Sequence, residues 1–443
     1  MDLWIDWAGK WYRQVGLSCK PRTSTCSRAT PTLSPVTVRK TILVSVNGPD
    51  HPGISAGLMD VLSTGGAEVY DVEQIVVRGH LTLNVLIGVD AEGATIRDLL
   101  FFGWKEDLHI DFERIEAAPP PVKPMSVVTI IGSVVSAKDF GEVARAIADG
   151  GGNIERIFRL SRYPVVSYEL TISNGNVDGM RAGLVRVAAH SDIDVAIQPD
   201  GLERRARRLV VMDVDSTLIQ EEIIDLLARE AGAEERVSSI TAAAMAGDID
   251  FEKSLRERVS LLKGLDEEAL KRVAASINVT PGARTFIRTL KRLGLKTAIV
   301  SAGFTRFANQ LAADLGIDYS LSNTLDVSDG VLTGEIAGEL VDGPRKAQFL
   351  REVAAKEGIA LGQVVAIGDG ANDLDMLAEA GLGIAFNAKP LVKERADTSL
   401  TVPFLDSILF VMGIRRDHVD AADAADPHFD QQPLIEVPGA PPT

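Results

Sequence analysis

Cysteine and histidine are scarce in this chain. Its 443 residues include only 2 cysteines, Cys19 and Cys26, and 6 histidines. A disulfide framework is therefore excluded for most of the chain, and no cysteine–histidine cluster has the spacing of a zinc site. We interpret the two cysteines as incidental thiols in a reducing cytoplasm.

Long apolar runs and an excess of positive charge are also lacking. No stretch approaches the roughly 18 consecutive apolar residues of a membrane-spanning helix, and the first residues lack the apolar core of a signal peptide. The formal net charge of −16 disfavours nucleic acid and anionic membrane surfaces as partners, because both would be repelled. We therefore expect a soluble, cytoplasmic protein with no nucleic-acid or membrane partner.

Both ends of the chain lack regular hydrophobic periodicity. Residues 1–36 are rich in Ser, Thr, Pro and Arg, whereas residues 413–443 are acidic and contain several prolines. Because such segments bury too little apolar surface to offset the entropy of ordering, we predict a flexible tail at each end.

Between residues 37 and 200, the same order of predicted strands and helices occurs twice. Residues 37–117 read as strand, helix, strand, strand, helix, strand, and residues 125–200 repeat that order without close sequence identity. The segment AAPPPVKP separates the copies and predicts a stiff linker. This pattern indicates a tandem pair of ferredoxin-like (βαββαβ) domains.

Each copy resembles an ACT domain, a small ferredoxin-like module that often binds amino acids. In the first copy the loop Gly-Pro-Asp-His-Pro-Gly, with Gly48, Asp50 and Gly53, matches the ligand loop of that family. Glycines let a backbone approach a ligand, and the helix that follows offers unpaired N–H groups to a carboxylate. The corresponding loop of the second copy, from Gly132 to Ser136, lacks this motif. The resemblance implies an L-serine effector at the first domain and a homo-oligomer, at least a dimer; the alternative is that both domains serve only packing or dimerisation.

From about residue 207 the pattern changes to alternating strands and helices, which predicts a Rossmann-like, doubly wound parallel sheet of the α/β class. Three apolar strand-like runs end in polar residues, namely Asp213 with Asp215, Ser301, and Asp369 with Asp373. Ligand sites of such sheets lie outside the carboxyl ends of the strands, so we expect these side chains to converge. Four clustered carboxylates need a compensating cation, and oxygen ligands favour Mg²⁺ over zinc.

Residues 207–412 resemble the haloacid dehalogenase-like hydrolases, because four motifs of that superfamily occur in order. The motifs are Asp213-Val214-Asp215-Ser216-Thr217, Ser301, Lys346, and Gly368-Asp369-Gly370-Ala371-Asn372-Asp373. The resemblance implies that Asp213 attacks phosphorus, and that Asp215 protonates the leaving oxygen and then activates water. It implies a Mg²⁺ ion held by Asp213, Asp369 and the backbone carbonyl of Asp215. Asp373 would stand behind these ligands, while Lys346 and Ser301 would stabilise the phosphoryl charge.

Residues from about 220 to 280 have helical periodicity and predict a cap that closes over the pocket. A phosphoamino acid needs an anion for its ammonium group and a cation for its carboxylate, and arginine binds carboxylates with two N–H groups. The stretch resembles the cap of phosphoserine phosphatases, which implies that Glu222 binds the ammonium and Arg258 the carboxylate, with Met245 and Phe251 lining the pocket.

The same resemblance assigns further residues to the substrate. They are Ser301, Ala302, Gly303, Lys346 and Asn372. The family often has two glycines after the serine of the second motif, and the chain departs from that pattern at Ala302.

These features lead to one main hypothesis. We expect hydrolysis of O-phospho-L-serine to L-serine, the last step of L-serine biosynthesis, with feedback by serine. One alternative is a phosphotransferase that passes the phosphoryl group from Asp213 to another hydroxyl amino acid such as homoserine, because the motifs are common to both reactions. A non-catalytic amino-acid sensor is the other alternative, although the catalytic aspartates are all present.

Overall fold

The computed structural model describes residues 40–90, 92–115, 123–246 and 248–426. The chain divides into two compact units, whose described parts are residues 40–115 and residues 123–426. The predicted N-terminal tail (1–36), most of the proline-rich linker and the chain from residue 427 lie outside the described residues.

The first unit is an antiparallel sheet with two helices. Its elements are β1 (Lys40–Pro49), α1 (Ile54–Thr64), β2 (Glu68–Val77), β3 (His80–Val89), α2 (Glu92–Lys105) and β4 (His109–Ile115). The strand order is β2-β3-β1-β4, and every neighbouring pair is antiparallel. Alternate residues of β1 such as Ile42, Val44 and Val46 are buried, because successive side chains of a strand point to opposite faces. The predicted βαββαβ fold is confirmed.

The second unit begins with another ferredoxin-like domain. Its elements are β5 (Met125–Gly132), α3 (Ala137–Asp149), β6 (Gly152–Ser161), β7 (Val166–Asn174), α4 (Val177–His190) and β8 (Ile193–Pro199). The strand order β6-β7-β5-β8 repeats the topology of the first unit. Helix α3 starts at a capping box, in which Ser136 and Asp139 each bond the backbone N–H of the other.

A seven-stranded sheet forms the centre of the catalytic domain. Its strands are β9 (Leu209–Met212), β10 (Lys296–Phe304), β11 (Tyr319–Ser328), β12 (Val331–Ala337), β13 (Val364–Gly368), β14 (Leu382–Phe386) and β15 (Thr398–Leu400). The strand order is β12-β11-β10-β9-β13-β14-β15, and all pairs except β11–β12 are parallel. The carboxyl ends of β9, β10, β13 and β14 therefore meet at one edge, as the parallel-sheet prediction requires.

Helices cover the sheet and form the cap. They are α5 (Leu202–Arg205), α6 (Ile223–Glu230), α7 (Glu234–Ala246), α8 (Phe251–Ser260), α9 (Glu267–Ser276), α10 (Ala283–Arg292), α11 (Thr305–Leu315), α12 (Gly343–Glu357), α13 (Leu374–Glu379), α14 (Pro390–Arg395), α15 (Ile408–Val411) and α16 (Arg416–Ala424). Helices α6 to α9 make up the predicted cap. Asp250 starts α8 by accepting a hydrogen bond from the backbone N–H of Lys253 at 2.8 Å. Among the described residues of both units, no helix is long and apolar enough to cross a bilayer.

The second ferredoxin-like domain packs against the catalytic domain within the same unit. Leu160 and Val165 share a buried apolar cluster with Leu405. Asp194 accepts hydrogen bonds from the backbone N–H and the hydroxyl of Thr401 at 2.6 and 2.9 Å. The helices of this domain pack on one face of its sheet, and the catalytic domain covers part of the other face.

The predicted disorder from residue 413 onward is wrong for the first part of that segment. Residues Arg416–Ala424 form helix α16, and the Asp423 carboxylate accepts hydrogen bonds at 2.9 and 2.6 Å from Arg288. Asp423 also pairs with Arg292. Composition could not reveal this helix, because the cations that hold it lie on α10, and Arg288 is 135 positions away from Asp423 in the chain.

Candidate active site

The nucleophile candidate stands directly after the central strand β9. Asp213 is 5% exposed, and its backbone N–H donates to the carbonyl of Ile367, near the end of β13, at 2.9 Å. The chain then makes one tight turn over Val214–Leu218, in which Ser216 takes a left-handed φ of 57°. Asp213 and Asp215 both line the same cavity at the carboxyl edge of the sheet.

A buried lysine holds the Asp213 carboxylate. Lys346 is fully buried on α12, and its Nζ lies 2.5 Å from Oδ1 of Asp213 and 2.6 Å from Oδ1 of Asp373. Oδ2 of Asp373 accepts the backbone N–H groups of Asp369 and Gly370 at 3.1 and 2.9 Å. Burial lowers the pKa of Lys346, but the charges of both aspartates outweigh burial and raise this pKa above its ordinary value. Lys346 is therefore a fixed cation behind Asp213.

Asp215 is held through both of its oxygens. Its Oδ1 accepts the backbone N–H of Ile223 at 2.8 Å, and its Oδ2 accepts the hydroxyl of Ser301 at 2.7 Å. Burial raises the pKa of Asp215 above its ordinary value, although these hydrogen bonds oppose the shift. A raised pKa favours a carboxyl that carries a proton, as a general acid needs.

The glycine after Ala302 leaves room for this arrangement. The Gly303 backbone N–H donates to Ser301 Oγ at 2.6 Å, and a Cβ at Gly303 would lie 2.8 Å from both Ser301 Oγ and Asp215 Oδ2. Any residue larger than glycine at position 303 would therefore clash with Ser301 or Asp215. Ala302 lines the cavity, and its carbonyl accepts the side-chain amide of Asn323 at 2.7 Å. The alanine that departs from the family pattern is thus accommodated.

Three carboxylates fit a divalent cation. Asp213, Asp369 and Asp373 are buried, and each offers one oxygen within 4.8 Å of the others. Burial, followed by the Asp373 charge, raises the pKa of Asp213 well above its ordinary value and that of Asp369 to about 6. A bound divalent cation would oppose these shifts by stabilising the ionised carboxylates, and oxygen donors suit Mg²⁺. Because both Asp373 oxygens already accept hydrogen bonds, Asp213 and Asp369 are the better ligands.

Cap and sheet edge together line a cavity of about 910 Å³. Glu222, Phe251 and Arg258 line it from the cap side. Ser216 donates to Glu222 at 2.9 Å, and the Arg258 guanidinium donates to the hydroxyl of Thr241 at 3.5 Å. Glu222 is exposed to the cavity, but protein atoms surround its carboxyl group and reduce its solvation by water. This desolvation, followed by the charge of Asp215, raises the pKa of Glu222 to about 7.

Most of the residues predicted from the sequence meet at this cavity. Those that line it are Asp213, Asp215, Glu222, Phe251, Arg258, Ala302, Gly303, Asp369 and Asn372. Ser301 and Lys346 lie behind them and donate to the carboxylates of Asp215 and Asp213, and Asp373 accepts a hydrogen bond from Lys346. Met245 lies in α7, but its side chain is outside the described residues.

Sequence reasoning missed several residues that line the cavity, including Asp225, Thr241 and Lys389. Lys389 follows β14, which is parallel to β13 and ends at the same edge of the sheet. The run LGIAF followed by NAKP therefore carried the same signal, an apolar strand that ends in polar residues, as the motifs that were recognised.

The three residues predicted to bind a regulatory ligand belong to the first unit, where two cavities are lined by its described residues. Gly48 lines one cavity and Gly53 another, whereas Asp50 lines neither. Gly53 has a left-handed φ of 103° before α1, which favours glycine. A Cβ at Gly48 would lie 2.7 Å from the Leu108 side chain, so close packing requires glycine there.

Comparison with protein families agrees with this architecture. The family model described as haloacid dehalogenase-like hydrolase matches residues 210–378, and ACT-domain models match residues 40–113 and 125–198. Phosphoserine phosphatase of Streptomyces coelicolor is 48% identical over 392 residues, which cover 86% of this chain and 94% of that protein. Phosphoserine phosphatase SerB2 of Mycobacterium tuberculosis is 45% identical over 392 residues, covering 87% and 96%.

Solved structures resemble about two thirds of this chain. A haloacid dehalogenase (HAD) family hydrolase from Salmonella enterica serovar Typhi aligns with a TM-score of 0.58 and 30% identity, over 65% of this chain and 98% of that one. A probable phosphoserine phosphatase from Vibrio cholerae, in an unliganded form, aligns with a TM-score of 0.52 and 33% identity, over 65% and 86%.

Proposed function

The chain belongs to the haloacid dehalogenase-like hydrolases, in the phosphoserine phosphatase family with two ACT domains, and we propose that it hydrolyses O-phospho-L-serine to L-serine and phosphate. One observation carries this proposal: a single cavity contains the Asp213–Asp215 pair on the sheet side and the opposite charges of Glu222 and Arg258 on the cap side. Those groups match the phosphoryl, ammonium and carboxylate groups of phosphoserine.

Asp213 is the proposed nucleophile. Lys346 occupies Oδ1 of Asp213, and within the described part of the chain no hydrogen bond engages Oδ2. Oδ2 attacks phosphorus, the bond from phosphorus to the serine oxygen breaks, and Asp215 gives its proton to that oxygen as L-serine leaves. The product of this step is an aspartyl-phosphate on Asp213.

Asp215 then acts in the opposite direction. A water molecule attacks phosphorus and gives its proton to Asp215, while the bond between phosphorus and Asp213 breaks. Phosphate leaves, and both carboxyl groups return to their starting state. The Ser301 hydroxyl orients Asp215 through the 2.7 Å hydrogen bond between them.

The proposed cofactor is Mg²⁺, held by Asp213, Asp369 and the backbone carbonyl of Asp215. When bound, this cation supplies electrostatic stabilisation of the negative charge on the transferring phosphoryl group. The support from the chain itself is the cluster of Asp213, Asp369 and Asp373, in which burial and then the charge of Asp373 raise the pKa of the first two.

Substrate selection is proposed to depend on the cap. Arg258 would bind the carboxylate of phosphoserine, because its planar guanidinium donates two parallel hydrogen bonds. Glu222 would accept the ammonium group. Ser216 already donates to Glu222 at 2.9 Å, and this bond orients the carboxylate toward the cavity that it lines.

A phosphate-release assay tests the proposal. Purified protein is given O-phospho-L-serine, O-phosphoethanolamine and an aryl phosphate, each with Mg²⁺ or after chelation, with the Asp213→Asn variant as control. We expect hydrolysis that prefers phosphoserine, requires Mg²⁺ and is abolished in the variant. Wild-type turnover in Asp213→Asn, or no release from phosphoserine, would contradict it. Adding L-homoserine tests the phosphotransferase alternative, which predicts a phosphorylated acceptor in place of free phosphate.

The ACT domains are proposed to make the enzyme responsive to L-serine, bound at the Gly48–Gly53 loop of the first unit. Gly53 leaves open space where a Cβ would stand, and as a glycine it offers no side chain to cap the first N–H groups of the helix that follows. Couplings between sites are typically about 1–3 kcal/mol, enough for inhibition by one to two orders of magnitude. Inhibition by serine that remains when phosphoserine is saturating, and that is lost in Asp50→Ala, would support this role. Purely competitive inhibition would contradict it.

We further propose that the protein is a homo-oligomer in the cytoplasm. On the edge strand β2, Val72, Ile75 and Val77 are 50%, 53% and 64% exposed, an apolar surface that another copy of the chain could cover. Light scattering coupled to size-exclusion chromatography tests the assembly, and a monomer at micromolar concentration would contradict it.

A further inference from the structure

The charges that line the active-site cavity are unbalanced. Six carboxyl side chains but only two cationic side chains are among the residues that line it. The carboxylates are Asp213, Asp215, Glu222, Asp225, Asp369 and Asp375. The two cations are Arg258, proposed above to bind the substrate carboxylate, and Lys389. Lys346 does not line the cavity and already pairs with two aspartates, so it contributes little unpaired positive charge to the cavity.

Lys389 belongs to a loop that two neighbouring strands hold in place. Its backbone N–H donates to the carbonyl of Asp369 at 3.2 Å, and the backbone N–H of Asn387 donates to the carbonyl of Leu400 at 2.8 Å. Asn387 adopts a left-handed φ of 47°, and Pro390 fixes the first turn of α14. The loop between β14 and α14 is therefore tied to the ends of β13 and β15, and the Lys389 backbone has a defined place beside Asp369.

The Lys389 side chain is available to a ligand. It is exposed, lines the cavity and forms no ion pair with any residue that the structure describes. Because the Lys389 backbone bonds the carbonyl of Asp369 and both residues line the cavity, the lysine belongs to the side of the cavity where Asp369 lies in the phosphoryl-transfer cluster.

We propose that Lys389 is a further substrate-binding residue, whose ammonium binds the phosphoryl group from the solvent side of the cavity. Lys346, in contrast, is fully buried and acts from within the domain. A phosphomonoester carries nearly two negative charges at neutral pH, more than the single charge of the carboxylate assigned to Arg258. This inference rests on the proposed phosphatase function, and it adds a binding contact on the β14–α14 loop.

Two variants and one matched control test the contact. Lys389→Met removes the charge and keeps the length of the side chain, and Lys389→Arg restores a cation. The control, Lys393→Met, removes a charge from α14, the helix that follows this loop, at a position that does not line the cavity. KM and kcat are measured for O-phospho-L-serine and for O-phosphoethanolamine, which lacks the carboxylate. The dissociation constant of inorganic phosphate is measured by calorimetry with Mg²⁺ present.

Lys389→Met should raise KM about tenfold for both substrates, because a hydrogen bond to a charged group is lost. It should weaken phosphate binding by a similar factor and change kcat less than KM. Lys389→Arg should recover most of the loss, and Lys393→Met should match the wild type.

Three results would overturn the assignment. The first is a KM for Lys389→Met within twofold of the wild type, and the second is an equal effect of Lys393→Met. The third is a loss confined to phosphoserine, which would place Lys389 at the substrate carboxylate. Wild-type protein that hydrolyses neither substrate would instead refute the proposed function, and the phosphate-binding measurement would still report on Lys389.

Discussion

The ammonium of Lys346 lies 2.5 Å from Oδ1 of Asp213, and both side chains are buried. The two residues are 133 positions apart in the chain, on α12 and directly after β9. A buried cation is tolerated only when it is paired, and here the pairing also fixes the orientation of the proposed nucleophile.

Replacing Lys346 should therefore affect both activity and stability. Lys346→Met leaves Asp213 and Asp373 buried without their cation, so we expect kcat to fall by about 10²–10³-fold and the thermal midpoint to decrease. Lys356→Met on the same helix is the control and should retain activity. Steady-state kinetics and thermal unfolding measure the two effects, and a Lys346→Met enzyme with wild-type kcat would contradict the role of this pair.

Gly303 gives a second prediction. A Cβ at this position would lie 2.8 Å from Asp215 Oδ2 and Ser301 Oγ, so Gly303→Ala must displace one of these groups. We expect kcat to fall at least about tenfold, because small displacements of reacting groups are costly, while the circular dichroism spectrum is retained. Gly201→Ala is the control, since no atom lies within 4 Å of a Cβ there. Unchanged kcat in Gly303→Ala would show that the Asp215–Ser301 hydrogen bond is not needed for turnover.

Arg258 should determine which phosphomonoesters are used. Arg258→Ala is expected to raise KM sharply for O-phospho-L-serine and much less for an aryl phosphate, because only the former carries a carboxylate. Arg256→Ala removes an arginine from the same helix, where it pairs with Glu252 at the surface, and serves as the control. Equal effects of Arg258→Ala on both substrates would remove this residue from the carboxylate site.

The sequence was sufficient to predict the convergence of Asp213, Ser301 and Asp369, because parallel strands end at one edge of a sheet and each of these residues follows an apolar run. It was also sufficient for the two ferredoxin-like domains, whose strands show a period of two. Lys389 follows the same rule and was missed, because the run before it is short and belongs to no motif that was recognised.

Other features could not be predicted, because they depend on partners far away in the chain. Asp194 accepts hydrogen bonds from Thr401, which is 207 positions away in the chain, and nothing in either local sequence indicates the pair. Helix α16 was predicted to be disordered, since its acidic composition resembles that of a solvated tail. Its order depends on Arg288 and Arg292, which only the fold brings to Asp423.

The contact between α16 and α10 gives a fourth prediction, on stability. Asp423→Asn weakens the pairing with Arg288 and Arg292, so we expect the thermal midpoint to fall by about 3 °C, while activity is retained. Asp420→Asn is the control, because Asp420 pairs at the surface with Arg416. Equal midpoints for Asp423→Asn and the wild type would show that the helix contributes little stability.

The pH dependence of this effect has a defined sign. Burial tends to raise the pKa of Asp423, but hydrogen bonds from Arg288 and Arg292 lower it below the ordinary 3.8. A carboxyl with a depressed pKa in the folded state stabilises fully above its unfolded pKa, and this stabilisation is lost as the pH falls through the folded pKa. The difference in midpoint between wild type and Asp423→Asn should therefore stay constant across neutral pH and shrink only in strong acid.

The central claim is that Asp213 becomes the covalent carrier of the phosphoryl group, and a crystal structure with Mg²⁺ and beryllium fluoride tests it most directly. Beryllium fluoride mimics a phosphoryl group that is bonded to an oxygen. The account predicts an adduct on Oδ2 of Asp213, with Lys346 still on Oδ1. An adduct on any other side chain, or none on Asp213 with the fluoride site occupied, would contradict it.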